Sequence, residues 1–89
     1  MKRILIIGTR PNMEHRLERT FKDRAALTFF NDIMGSAGLD AIAKQHDHIV
    51  MNIRLARHGH QYVLTKTGRP FVRTNGAASA IVRAVEELI

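Results

Sequence analysis

Arg3-Ile4-Leu5-Ile6-Ile7-Gly8 is the stretch that decides the fold. Ile4 to Ile7 is a β-branched and leucine run without polar alternation, so both of its faces must be buried, as in a central strand of a parallel sheet. Three further runs read as strands: Ala25 to Phe30, His48 to Ile53 and Pro70 to Arg73. Between them lie helical patterns. Met13, Leu17 and Phe21 recur at i, i+4 and i+8 behind Asn12, which is placed to cap that helix. Leu39, Ile42 and Ala43 suggest a short second helix after the glycine-punctuated stretch from Asn31 to Gly38. A third is expected over roughly 56–67, stopped by Gly68 with Pro70 just beyond. Thr74-Asn75-Gly76 should open the last helix, with Ala78, Ile81, Val82, Val85 and Leu88 on its buried side. Strand and helix thus alternate four times. That alternation implies right-handed βαβ units and an α/β fold: a small four-stranded parallel sheet, Rossmann- or flavodoxin-like, order 2-1-3-4, with helices on both faces.

At 89 residues the chain is expected to form a single domain, 1–89, with one modest core. A hydrophobic fraction of 45% with 25% charged residues is that of a globular protein. The apolar run Ile4 to Ile7 is far short of a membrane span, and Met1-Lys2-Arg3 leads into it without the apolar region of a secretory signal. The expectation is a cytoplasmic protein without a membrane partner. The absence of cysteine excludes disulfides, thiolate metal sites and cysteine nucleophiles. Fourteen Lys and Arg against eight acids give a net charge of +6, which favours a polyanionic partner, nucleic acid or a phosphorylated small molecule. A core this small also gains from self-association, so a homodimer is a further expectation.

In a parallel sheet the carboxyl ends of all strands share one edge, where open α/β sheets bind their ligands. The residues expected there are Thr9, Arg10 and Asn12 after the first strand, Asn31 and Asp32 after the second, Asn52, Arg54, Arg57 and His58 after the third, and Arg73, Thr74, Asn75 and Gly76 after the fourth. With order 2-1-3-4, Arg10 and Asn12 would face Arg54 and His58. The amides of Gly76, Ala77 and Ala78 open the last helix with no bulky side chain in the way, and could receive a phosphate. Arginines add bidentate contacts. Thr74-Asn75-Gly76 has the competing role of a helix cap, and Asp32 that of a turn former beside Asn31. Gly8 is followed by Thr9-Arg10-Pro11, so the G-x-G-x-x-G dinucleotide fingerprint is absent. His46, His48, His58 and His60 lack metal-ligand spacing, and neither a metal nor a cofactor is expected. His58 is the candidate general acid should the protein be an enzyme, but no Ser, Cys or carboxylate partner for it can be named. Tyr62 and Phe30 are expected in the core, which disfavours base stacking.

Two resemblances bear on this reading. Met1 to Pro11, ending in Gly8-Thr9-Arg10-Pro11, is similar to the first strand and loop of UDP-N-acetylglucosamine 2-epimerases, where G-T-R-P precedes an acid. Here Asn12 stands in place of the acid and the following helix diverges, so the similarity is a shared strand-to-loop turn. Nearly the whole chain resembles a family of short bacterial Rossmann-like domains of unknown function. The matching stretches are Ile4 to Gly8, Glu14 to Arg19, Asp47 to Met51, His58, Gly68 to Val72 and Gly76 to Ser79. Asn52-Ile53-Arg54 departs from the Thr-Asp frequent at that point. The resemblance implies the fold and a site at His58 and Ser79, and no particular activity. The reading is a non-catalytic module for a nucleotide or a nucleic-acid backbone; the alternatives are a protein-interaction or oligomerisation domain with a basic edge, and a small hydrolase or phosphotransfer enzyme using His58.

Overall fold

The computed structural model describes residues 1–30 and 37–89. Four strands, β1 (Lys2–Ile7), β2 (Ala25–Phe30), β3 (His48–Asn52) and β4 (Val72–Thr74), form one parallel sheet in the order β2-β1-β3-β4. The helices are α1 (Pro11–Phe21), α2 (Leu39–Lys44), α3 (His58–Thr67) and α4 (Ala78–Leu88). The expected order and the helices on both faces are therefore present.

The period of two in β1 divides the core. Ile4 and Ile6, with Val50 of β3, pack against Leu17 and Phe21 of α1 and Ile81 and Val85 of α4. Leu5 and Ile7, with Ile49 and Met51, pack against Leu39 and Ala43 of α2 and Leu64 of α3. All four residues from Ile4 to Ile7 are fully buried, which is why the run carries no polar residue. Each such side chain contributes about 1.5–3 kcal/mol on burial, so β1 is the main hydrophobic tie between the two layers.

Local polar contacts fix the ends. Asp47 Oδ2 accepts the Arg3 N–H at 2.8 Å, and the Asp47 N–H donates to Arg3 O at 2.8 Å, joining the turn before β3 to the start of β1. Arg24 and Glu86 form a bidentate pair at 3.0 and 2.6 Å that ties the α1–β2 turn to the end of α4. Gly68 ends α3 at φ +73, with cap N–H groups donating to Leu64 O and Thr65 O, the glycine exit expected there.

Several boundaries differ from the sequence expectation. The third helix begins at His58 because the chain first makes a turn in which the Leu55 and Ala56 N–H groups donate to Asn52 O at 3.2 and 2.9 Å. That start turns His60 and Leu64 inward, where His60 meets Phe30 edge-to-face at 4.8 Å. Tyr62, expected in the core, is 64% exposed, with the Lys66 ammonium 5.6 Å from its ring centroid. Phe30 is buried as expected. The fourth strand starts at Val72 rather than Pro70, since Pro70 has no N–H for the ladder.

Candidate functional site: a basic cleft at the carboxyl edge

The site is built on the reversal of strand order between β1 and β3, the place where α1 leaves to one face and α3 to the other. Gly8 lies at the end of β1 with φ +88, its N–H donating to Phe30 O at 3.0 Å. A Cβ there would meet Asn52 O at 2.5 Å and Ala56 N at 2.9 Å. Only glycine lets the two loops approach this closely. Thr9 follows, fully buried, its Oγ1 donating to Glu14 Oε2 at 2.7 Å. This bond holds the Glu14 carboxylate against its own loop and sets Arg10 at the N-terminus of α1.

Asn52 is the second device. It is fully buried, and its Nδ2 donates to Gly76 O at 3.1 Å. Its Oδ1 accepts the N–H groups of Arg54 at 3.3 Å and Gly76 at 3.4 Å. One amide therefore joins the loop after β3 to the turn that opens α4. Gly76 sits there at φ +142, with no heavy atom within 4 Å of where a Cβ would point. The helix cap is Ala77, without any side-chain cap bond. Thr74 and Asn75 thus do not cap α4, because the Gly76 turn separates them from its first residue. The amides of Ala77, Ala78 and Ser79 precede the first internal bond of this turn, from Ala80 N–H to Ala77 O at 3.0 Å.

Between these parts lies a cleft of about 440 Å³. Arg10, Asn12, Met13 and Arg16 line it from α1 and its cap, and Arg54 and Leu55 from the loop after β3. Gly76, Ala77 and Ala78 close it from α4. None of the described residues that line it is acidic or aromatic. Asn12, Met13 and Arg16 share one flank of α1, spaced i, i+1 and i+4, whereas Glu14 and Glu18 fall on the other. Among the described residues the ion pairs are Arg24–Glu86, Lys44–Asp40 and Arg69–Asp40, so no carboxylate neutralises Arg10, Arg16 or Arg54. The α4 N-terminus adds partial positive charge. The described lining is accordingly cationic.

The two helix starts differ. In α1, Pro11 has no N–H, the Met13 N–H donates to Asn12 Oδ1 at 3.0 Å and the Glu14 N–H to Arg10 O at 3.0 Å. Asn12 is inside the helix and is not its cap, because Pro11 already occupies the first position. What α1 offers is side chains, and what α4 offers is backbone amides.

Of the residues expected at the site, Arg10, Asn12, Arg54 and Gly76 line the cleft. Arg57 is the cap of α3 and His58 its first residue, both exposed and outside the cleft lining, as is Ser79. Arg73, Thr74 and Asn75 line a separate groove of about 260 Å³ between β4 and α4. There the Arg73 guanidinium lies 5.2 Å from the Phe71 ring centroid. Asp32 lies outside the described residues. Arg16 was missed, because it falls within α1, where only helix phase and packing direct it to the cleft; Asn52 was placed at the edge, but its bond to Gly76 could not be read from the sequence.

Among the described residues no three His, Asp or Glu side chains converge on a common point, and no helix is long and apolar enough to cross a membrane. Comparison with protein-family models, with curated proteins and with solved structures finds no match for this chain.

Proposed function

We propose that this protein is a binding module for a phosphate-bearing ligand, a nucleotide or a nucleic-acid backbone, held in the cleft between α1, the β3–α3 loop and α4. The observation that carries the reading is the convergence of Arg10, Arg16 and Arg54 on one cavity that, among the described residues, no carboxylate lines. Guanidiniums that line one cavity repel one another, and an anion relieves that repulsion. Guanidinium forks match phosphate oxygens bidentately. The volume lies within the range of about 300–1,000 Å³ usual for small-molecule sites. Without an aromatic wall the cleft recognises the phosphate rather than stacking the base. His58, exposed and outside the cleft lining, has no role in this reading.

The test is fluorescence anisotropy of labelled oligonucleotides and labelled mononucleotides across a salt series. The reading expects binding that weakens with salt and is lost in a folded Arg54→Ala variant. Absence of binding, or binding unchanged by both salt and the substitution, would contradict it.

A further inference from the structure

Resting on the phosphate-binding reading, we infer that the cleft takes a ligand with two adjacent phosphoryl groups, a diphosphate ester such as a nucleoside diphosphate, rather than a monophosphate. The chemistry of the two walls differs. Arg10 and Arg16 meet the cleft from α1, a helix start whose Met13 and Glu14 amides are already engaged and whose Pro11 has no amide to give. Across from them, Arg54 stands beside Ala77 and Ala78, whose amides no side-chain cap uses, whereas the Gly76 amide is taken by Asn52. One wall binds an anion with two guanidinium forks, the other with one guanidinium and backbone donors.

Charge supplies a second argument. Three arginines and, among the described residues, no acid line the cleft, and the start of α4 adds roughly half a charge. A phosphomonoester brings about −1.5 to −2 and leaves part of this uncompensated. A second phosphoryl group adds roughly one further negative charge and brings the site close to neutrality. Adjacent phosphoryl groups suit this arrangement, because the three arginines and the start of α4 line one cleft of about 440 Å³. Asn52 fixes the relation between Arg54 and Gly76 through their shared Oδ1 acceptor, so the second wall exists before the ligand arrives.

Calorimetric titration at constant ionic strength distinguishes the possibilities, with inorganic phosphate, inorganic pyrophosphate, AMP, ADP and a single-stranded oligonucleotide as probes. The inference expects pyrophosphate to bind at least tenfold more tightly than phosphate, and ADP at least tenfold more tightly than AMP. In the double variant Arg10→Ala/Arg16→Ala these preferences should collapse to less than about threefold while weak monophosphate binding persists, since charge-assisted contacts at one wall remain. The variants' circular dichroism and thermal melts establish that they are folded. Equal affinity for ADP and AMP would overturn the inference and leave the phosphate-binding reading standing. So would oligonucleotide binding that ADP does not displace. Absence of heat and of competition with every probe would overturn both.

Discussion

Asn52→Ala is the most informative single substitution, because one buried amide connects the two chain segments that form the cleft's second wall. The change removes the 3.1 Å bond from Nδ2 to Gly76 O and the two longer bonds that Oδ1 accepts from Arg54 and Gly76. A net hydrogen bond contributes about 0.5–1.5 kcal/mol, and a buried group left without its partner costs about 1–3 kcal/mol. The two bonds at 3.3 and 3.4 Å lie at the long end of hydrogen-bond geometry and count for less. The sum is a loss of roughly 2–3 kcal/mol, which for a domain of this size corresponds to a melting temperature lower by roughly 8–24 °C. Urea denaturation and thermal melts measure it. Asn52→Asp separates fold from site: it keeps the shape and the Oδ1 acceptor but turns a carboxylate oxygen toward Gly76 O and puts a negative charge behind the cleft. That variant should lose phosphate affinity even at temperatures where it is fully folded. A loss of stability below about 0.5 kcal/mol for Asn52→Ala, the size of a surface substitution, would refute the reasoning.

Other outcomes follow from the same geometry. Gly8→Ala forces a side chain into a left-handed backbone and against Asn52 O at 2.5 Å, and should cost roughly 2–5 kcal/mol in a denaturant titration. Hydrogen bonds from Arg69 to Asp40, from the Arg3 backbone to Asp47 and from Arg24 to Glu86 hold those carboxyls below their ordinary range. The stability they contribute is present above the unfolded-state values near about 4 and is lost as the pH falls through the lower folded-state values, so melting temperature should decline with acidification there. Tyr62→Ala and His58→Ala should each change stability by no more than about 0.5 kcal/mol, and His58→Ala should leave nucleotide affinity intact. His60→Ala, which removes a buried ring packed on Phe30, should destabilise by about 1 kcal/mol or more in the same assay.

Where hydrophobic pattern alone determines the outcome, the sequence was a good guide. Ile4 to Ile7 read as a strand buried on both faces, strand–helix alternation implied a parallel sheet, and the commonest order for such a sheet, 2-1-3-4, is the one present. Leu17, Phe21, Ile81 and Val85 occupy the buried faces that their helical spacing indicated. The errors arose where a polar or small residue had two local uses. Asn12 has the chemistry of a cap, but Pro11 begins the helix ahead of it. Asn75 has the same chemistry, and Gly76 turns the chain before it can serve. In α3 the buried face carries His60 and Leu64 and leaves Tyr62 exposed, a choice of face that its weak apolar periodicity did not determine. The carboxyl edge was the right place to look for a site, yet strand ends alone could not divide it. Arg10 and Arg54 share a cleft, whereas Arg73 faces the groove beside β4. Asn52 could be valued only once its partner Gly76, twenty-four residues away, was seen beside it.

The central claim is that an anionic ligand sits between Arg10, Arg16, Arg54 and the start of α4. Titration of isotope-labelled protein with AMP and ADP, followed by amide correlation NMR, tests it most directly, because it reports where binding occurs as well as whether it does. The expected result is saturable shifts at Arg54, Gly76, Ala77, Ala78 and Ser79, with smaller ones at Asn12 and Met13. Shifts confined to Arg73 to Asn75 or to the start of α3 would place the site elsewhere, and unchanged spectra would contradict the claim outright.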